Sequence, residues 1–244
     1  PRLARSVSVN TRFLANRVEG LGVAKQRIHW IPNGVDRARF QKPAQTDRAA
    51  EWPGEITTRN KRVLYIGSLD LINHPVDLLL DAFAEVHQAE PLASLLIVGG
   101  GNDFDRLQTY ARNKGLDSCV RFAGLVNATD IPDYYRAAQT TVDPVKDDRT
   151  AQARSPLKIV ESLVMGVPVV TGDVGDRRWM LNFDQAGVLV NAGDSSALAQ
   201  GILSVIQDAA LADRLMAGAR TLGERFWWDV LIKDWVAIYK LADT

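Results

Sequence analysis

Residues 61–222 predict a doubly wound α/β fold on a parallel sheet, and three observations carry that expectation. Stretches such as Val63-Leu64-Tyr65-Ile66 and Leu95-Leu96-Ile97-Val98 are apolar throughout, which suits strands covered on both faces. Helical stretches with apolar residues at three- and four-residue spacing separate these strands one by one. Glycines close the strands, at Gly67 and at Gly99-Gly100-Gly101, where a strand must turn sharply into a helix.

The elements follow in order. Residues 6–9 read as a strand, Asn10-Thr11 caps a helix running to Gly20, and residues 27–31 form a second strand stopped by Pro32-Asn33-Gly34. Residues 41–60, with Pro43, Pro53 and Gly54, read as a linker or exposed loop. Strands are then expected at 62–67, 94–98, 120–122 and 140–143, with helices at 76–88, 104–113 and 131–138. A polar loop leads to Arg154. Ser155 as N-cap and Pro156 at the first helical position open a helix that Gly166 ends, and the β-branched run 167–170 is the next strand. Residues 187–190 are a strand, Asp194 caps a helix to about 208, and residues 211–241 are helical. The chain opens on Pro1 rather than Met and is expected to be a piece of a longer protein.

Composition narrows the function. With 46% apolar and 24% charged residues the chain is ordinary for a soluble globular protein. Lys and Arg number 29 against 29 Asp and Glu, so no net positive charge favours nucleic acid. Cys119 is the single cysteine, which excludes an internal disulfide framework and suits a reducing compartment. His29, His74 and His87 lack metal-ligand spacing, so no metal is expected. No apolar run approaches the roughly 20 residues of a membrane span. No Ser-His-Asp, Cys-His or two-metal carboxylate set can be assembled from the loops, which argues against a nucleophile-using hydrolase.

Ligands of such sheets bind where strands end, so the candidate loops follow residues 66, 98, 122, 143 and 170. Gly67, Ser68, Gly100 and Gly101 allow a ligand close to backbone N–H groups, or simply make tight turns. The triple glycine is not a Gly-x-Gly-x-x-Gly fingerprint, which lowers the case for a nicotinamide enzyme. His74 could donate to a phosphate or be merely solvated. Arg149 and Arg154 could clamp a diphosphate, with Asp147 and Asp148 as competing partners. Lys158 stands where a capping box would carry Glu or Gln, and a cation in a helix's first turn is disfavoured unless an anion sits there. Glu161, one turn on, could accept from a ligand's hydroxyls. The alternative is that Lys158, Glu161, Ser162 and Met165 form the solvated stripe of a helix packed by Leu157, Val160, Leu163 and Val164.

In series, these motifs resemble the group 1 (family 4) retaining glycosyltransferases of GT-B fold. Ile31-Pro-Asn-Gly-Val-Asp36 and Phe40 look like that fold's interdomain segment. Val63 to Leu69 with Val76-Asp-Leu-Leu-Leu-Asp-Ala-Phe83 looks like the opening of its second domain. Leu95 to Gly101, Val120-Arg-Phe-Ala-Gly124, Lys158-Ile-Val-Glu161 with Gly166-Val-Pro-Val-Val170, Gly187-Val-Leu-Val190 and the tail from Trp227-Trp228 to Tyr239 keep the family's order. The resemblance implies a Rossmann-like nucleotide-sugar-binding domain, the C-terminal half of GT-B, over 61–222. Residues 1–40 would end the N-terminal domain and 223–244 would return toward it. It implies sugar transfer from a nucleoside diphosphate donor to a hydroxyl of a glycan, lipid or small-molecule acceptor, with retention and without metal or other cofactor. This chain alone is expected to be inactive, because most of the catalytic cleft lies in the missing domain. Glu161 would hold the ribose, Gly100, Gly101 and Leu125 would flank the base, and the helix start near Pro156 would face the diphosphate.

Three departures stand against the pattern: Ala153 replaces the first Glu of the Glu-x7-Glu motif, Ser68 a phosphate-binding Arg, and His74 a Lys. Arg154, Ser155 and Lys158, in a Ser-Pro-x-Lys-x-x-Glu variant, would supply the missing phosphate contacts. Because of these losses, a non-catalytic nucleotide-binding domain stands as an alternative; a nucleotide-sugar epimerase of GT-B shape is less favoured, since the closing motifs resemble the transferases better. The implied location is cytoplasmic. Basic residues 2–17 are open to two roles, contact with the anionic inner face of a membrane or, preferred, packing of the missing domain.

Overall fold

A computed structural model describes residues 4–53 and 61–243. The predicted strands at 94–98, 140–143 and 187–190 form with those bounds, as does the helix at 104–113. β1 (Val7–Val9) and β2 (Ile28–Trp30) pair in parallel on either side of α1 (Arg12–Gly20), which Thr11 caps by accepting from the Leu14 N–H at 3.2 Å. A one-turn α2 (Arg37–Phe40) follows.

The main sheet has six parallel strands in the order β5-β4-β3-β6-β7-β8. They are β3 (Arg62–Ile66), β4 (Ser94–Val98), β5 (Val120–Gly124), β6 (Thr140–Asp143), β7 (Val169–Gly172) and β8 (Gly187–Val190). Between them run α3 (Val76–Ala89), α4 (Phe104–Asn113), α5 (Ile131–Ala137), α6 (Arg149–Ala153), α7 (Leu157–Val164) and α8 (Arg177–Met180). α9 (Ser195–Gln207), α10 (Ala209–Gly223) and α11 (Trp228–Asp243) close the chain. The path starts at β3, winds outward to β5, then crosses back to β6 and winds outward the other way. The loops after β3 and β6 therefore part, and the sheet's ligand crevice opens between them.

Strand alternation sends side chains into two cores. Val63, Tyr65, Leu95 and Ile97 pack with Leu79, Phe83, Ile202 and Val205 on one face. Leu64, Leu96 and Val98 pack with Tyr135, Ile159, Leu163 and Phe226 on the other. Both faces are covered, which is why β3 and β4 are apolar beyond their first residues, while Thr140, Thr141, Asp143 and Thr171 on β6 and β7 are buried polar positions.

Several expectations are corrected. The polar loop before Arg154 contains α6, capped by Asp148, whose carboxylate accepts from the Ala151 N–H at 2.7 Å. Ser155 is not the N-cap of α7. Pro156 holds that place with extended backbone and no side-chain bond, because Pro156 at ψ 112° has not yet entered the helix. The solvated-stripe reading of α7 fails, since Glu161 and Ser162 are buried and Leu157 is the exposed residue. Of the stretch read as a linker, residues 41–53 are tied down: the Asp133 carboxylate accepts from the Gln45 and Thr46 N–H groups, and buried Trp52 donates its indole N–H to the Val63 carbonyl at 3.1 Å. Residues 54–60 of that stretch, and residues 2–3 of the basic segment, lie outside the described residues. The C-terminal helix is two helices, broken at 224–227 where the Val35 N–H donates to the Phe226 carbonyl and the Trp228 N–H to the Val35 carbonyl.

Candidate functional site

The crevice between β3 and β6 holds a cavity of about 330 Å³. From β3 and its loop come Ile66, Gly67 and His74, from β6 Asp143, and from the start of α7 Arg154 to Lys158 with Glu161. Arg177 reaches in from α8.

Asp143 ends β6 and is buried. Its carboxylate accepts from Arg177 Nε at 2.8 Å and from Thr171 Oγ1 at 3.3 Å, and Lys158 Nζ stands 3.4 Å away. Arg177, only 1% exposed, also donates to the Ala151 and Val174 carbonyls, so one guanidinium joins β6, α6 and the loop after β7. Burial would raise the Asp143 carboxyl, but the charges of Arg177 and then Lys158 overcome it and hold it below its ordinary value.

Lys158 Nζ sits 4.3 Å from the Tyr65 ring centre and beside Gly67, where a Cβ would come within 2.9 Å of it. Gly67 is therefore the residue that makes room for the lysine. The contact with Asp143 is Coulombic: among the described residues Nζ is buried without a hydrogen-bond acceptor. Such a group gains most from an incoming anion. Tyr135 of α5 donates to Oε2 of Glu161, on the same helix as Lys158, at 2.9 Å, and burial, partly offset by Tyr135, raises the Glu161 carboxyl. Glu161 also lines the cavity.

His74 Nδ1 lies 3.5 Å from Arg154. Burial first, then the Lys158 and Arg154 cations, push its imidazole down to about 4. Burial is the larger cause, and the two cations add to it against Asp143 and Asp70. Unfolded, a histidine titrates near about 6.5, so between about pH 6.5 and 4 the unfolded chain binds a proton that the folded chain refuses. Stability attributable to this residue falls as the pH drops through that window and is unaffected above it. We expect His74→Gln to lose less stability than the parent between pH 7 and 5 in urea titrations. Equal losses would show that the fold does not hold the imidazole below its ordinary value.

Of the residues singled out from sequence, Gly67, His74, Arg154, Ser155, Lys158 and Glu161 converge on this cavity. Ser68, Gly100, Gly101 and Leu125 lie outside its lining. The Ser68 carbonyl accepts from the Tyr65 hydroxyl at 2.8 Å, and the Leu125 side chain, 85% exposed, covers Gly100. Gly101 is explained by close approach of backbone, since a Cβ there would come 2.4 Å from the Leu69 carbonyl oxygen. Asp147 and Asp148 do not take Arg154: the first accepts from Gln152 and the second caps α6. Asp143, Arg177, Tyr135 and Asn33, whose amide donates to the Ser155 carbonyl at 2.9 Å, escaped the sequence reading. Only Asp143 carried a signal, a charge ending an otherwise uncharged strand. Among the described residues no cluster of His, Cys, Asp or Glu side chains could hold a metal ion, and no helix is long and apolar enough to cross a membrane.

With this geometry in hand, comparison with known proteins is informative. The profile of the family described as "Glycosyl transferases group 1" matches residues 60–208. A phosphatidyl-myo-inositol mannosyltransferase of Mycobacterium leprae is 29% identical over 214 residues, covering 88% of this chain and 54% of that protein. A D-inositol 3-phosphate glycosyltransferase of Catenulispora acidiphila is 30% identical over 243 residues, covering 96% and 56%. The chain thus spans about half the length of these relatives. Among solved structures, sucrose-phosphate synthase from Thermosynechococcus elongatus superposes with a TM-score of 0.81 at 24% identity, covering 98% of this chain and 58% of that one. HepE of Anabaena, in complex with UDP and glucose, gives 0.79 at 22%, covering 100% and 64%. The architecture is that of a GT-B glycosyltransferase's Rossmann-like domain.

Proposed function

The chain belongs to the glycosyl transferases group 1 family, and from that premise we propose that it is the donor-binding part of a retaining glycosyltransferase. The parent protein moves a sugar from a nucleoside diphosphate to a hydroxyl acceptor. One observation carries this reading: Lys158, Arg154, His74 and the buried Glu161 carboxylate line a single cavity at the switch point of the sheet, beside the mutually paired Asp143 and Arg177.

The chemistry follows from the placement. Breaking the bond between sugar and diphosphate leaves negative charge on the phosphate oxygens. Lys158 and Arg154 stabilise that charge where it develops, Arg154 with a planar fork suited to two oxygens. His74, neutral at pH 7, serves as a hydrogen-bond partner. Glu161, fixed by Tyr135, accepts from the ribose hydroxyls and sets the donor's orientation, which supplies much of the rate gain. No metal enters this scheme. The base is held on the Gly100, Gly101 and Leu125 side, and the acceptor is a glycan, a lipid or a small polyol such as the names of the relatives suggest.

The test is calorimetric titration of this chain with UDP, GDP, ADP and their sugar conjugates. One nucleotide should bind saturably, and Glu161→Ala should weaken it by about 10- to 100-fold, the worth of one or two hydrogen bonds to a charged acceptor. Arg154→Ala and Lys158→Ala should each weaken it about tenfold, and unchanged affinity in both would remove the phosphate assignment. This chain alone is expected to transfer nothing. Ala153, which ends α6 with no carboxylate to offer the donor sugar, favours one second reading, a binding domain without catalysis. Incubating the full-length protein with donor and acceptor separates the readings: a glycosylated product supports transfer, a sugar isomer an epimerase, and nucleotide binding without turnover the binding domain.

A further inference from the structure

Beside the donor cleft lies a larger cavity of about 540 Å³, between α1, α6 and the stretch from Asp173 through α8 to Phe183. Sequence neighbours divide between the two: Gln152 lines this cavity and Arg154 the cleft, while Asp176 and Arg178 line it and Arg177 between them lines the cleft.

Its chemistry differs from the cleft's. Two arginines, Arg12 and Arg178, face three aspartates, Asp147, Asp173 and Asp176, so an anion gains nothing here. Arg178 is paired with Asp173, and the Arg12 guanidinium lies 5.1 Å from the Trp179 ring centre. Gln152 donates to Asp147, the Asp176 carboxylate accepts from the Arg12 N–H and Asn182 donates to Gln185. The polar groups thus stand ordered around the aromatic rings of Phe13, Trp179 and Phe183, with their remaining donors and acceptors toward a ligand.

Phe183 is the unusual member. Its ring is 59% exposed, and it follows Asn182 in two consecutive left-handed conformations, φ 47° and 67°. Asparagine tolerates that region, whereas a bulky aromatic is a true outlier there. The ring is mostly in solvent, with the Arg178 guanidinium 5.8 Å from its centre. A second cavity, also about 540 Å³, meets the first at Phe183 and Arg178, so the ring stands as a ridge between two hollows. Strain kept at an exposed position points toward function rather than packing.

We infer that this cavity is a saccharide subsite for the acceptor, with Phe183 as its stacking platform. A pyranose offers an apolar C–H face to an aromatic ring and hydroxyls that need both donors and acceptors at the rim. The lining supplies both, and its three aspartates against two arginines disfavour an anion while leaving a neutral sugar free to bind. Its place beside the cleft puts a bound saccharide next to the departing donor. The inference rests on reading the cleft as the donor site.

The experiment titrates this chain with maltose and with methyl α-D-mannopyranoside, following tryptophan fluorescence and ligand-observed NMR. A saturable response is expected, and it should weaken at least about tenfold in Phe183→Gly and in Phe183→Asn. Both variants should keep or raise the urea midpoint, since both residues accept a positive φ. Glu161→Ala should leave the saccharide response unchanged. No response, or one that both Phe183 variants leave as strong as in the parent, overturns the subsite. Displacement of maltose by a nucleotide sugar but not by the free nucleotide would assign the cavity to the donor's own sugar and overturn the acceptor role. Saccharide binding with no nucleotide binding would instead refute the donor cleft while the subsite stands, and the converse refutes the subsite alone.

Discussion

Alanine at Gly99 is expected to destabilise the chain by more than about 3 kcal/mol and to abolish nucleotide binding with it. Gly99 follows β4 with φ 140°, a conformation that side chains rarely adopt. A Cβ there would stand 1.9 Å from the Gly67 carbonyl oxygen. The obstacle is backbone, and that backbone cannot step aside: the Gly67 N–H donates to the Val98 carbonyl at 3.0 Å and the Gly99 N–H to the Gly124 carbonyl at 2.8 Å. Relief requires breaking one of these bonds or moving Gly67, which holds open the space for Lys158. Gly115→Ala is the control. Its φ is 72° but nothing lies within 4 Å of an added Cβ, so it should lose only the local strain, about 1–2 kcal/mol. Urea titrations of the two variants measure the difference, and similar losses would show that the approach of the two loops is not tight.

Gly99 also shows where sequence reading succeeds and stops. A triple glycine after an apolar strand marks a place of close approach, but not what approaches. Here it is the neighbouring loop, with Gly99 against Gly67 and Gly101 against Leu69. The fold was legible because each strand and helix announces itself within a few residues: β4, α4, β6 and β8 lie where apolar runs and caps put them. The cleft was half legible for a topological reason. Once the strands are parallel, the loops after β3 and β6 border one crevice, which brings His74 near Arg154 across 80 positions. Burial on α7 was not legible. Glu161 and Ser162 look like solvent-facing residues by period, and they are tolerated inside because Tyr135 and Thr141, on other elements, supply their hydrogen bonds. Arg177 was invisible for the same reason, its carboxylate partner lying 34 residues away.

That buried pair gives the second large effect. Arg177→Met at pH 7 should cost about 3–5 kcal/mol, because it leaves the Asp143 carboxylate in the core with only Lys158 to answer it. In the parent chain the carboxyl sits below its ordinary value, so its stabilising contribution is present above about pH 4 and is lost as the pH falls through the depressed value. Without Arg177, burial dominates and the value moves up. At pH 7 the variant must then bury an ill-compensated charge, while toward pH 5 protonation relieves it. The gap between parent and variant should therefore narrow as the pH falls, and a gap independent of pH would mean that Arg177 acts through packing alone. Asp143→Asn separates stability from binding. It strands the Arg177 guanidinium and lowers stability, yet it also removes the negative charge 3.4 Å from Lys158. If Lys158 serves the donor's phosphates, the folded fraction of Asp143→Asn should bind the nucleotide several-fold tighter than the parent. A merely structural Asp143 predicts weaker binding instead, and calorimetry at a temperature where both proteins remain folded decides between them.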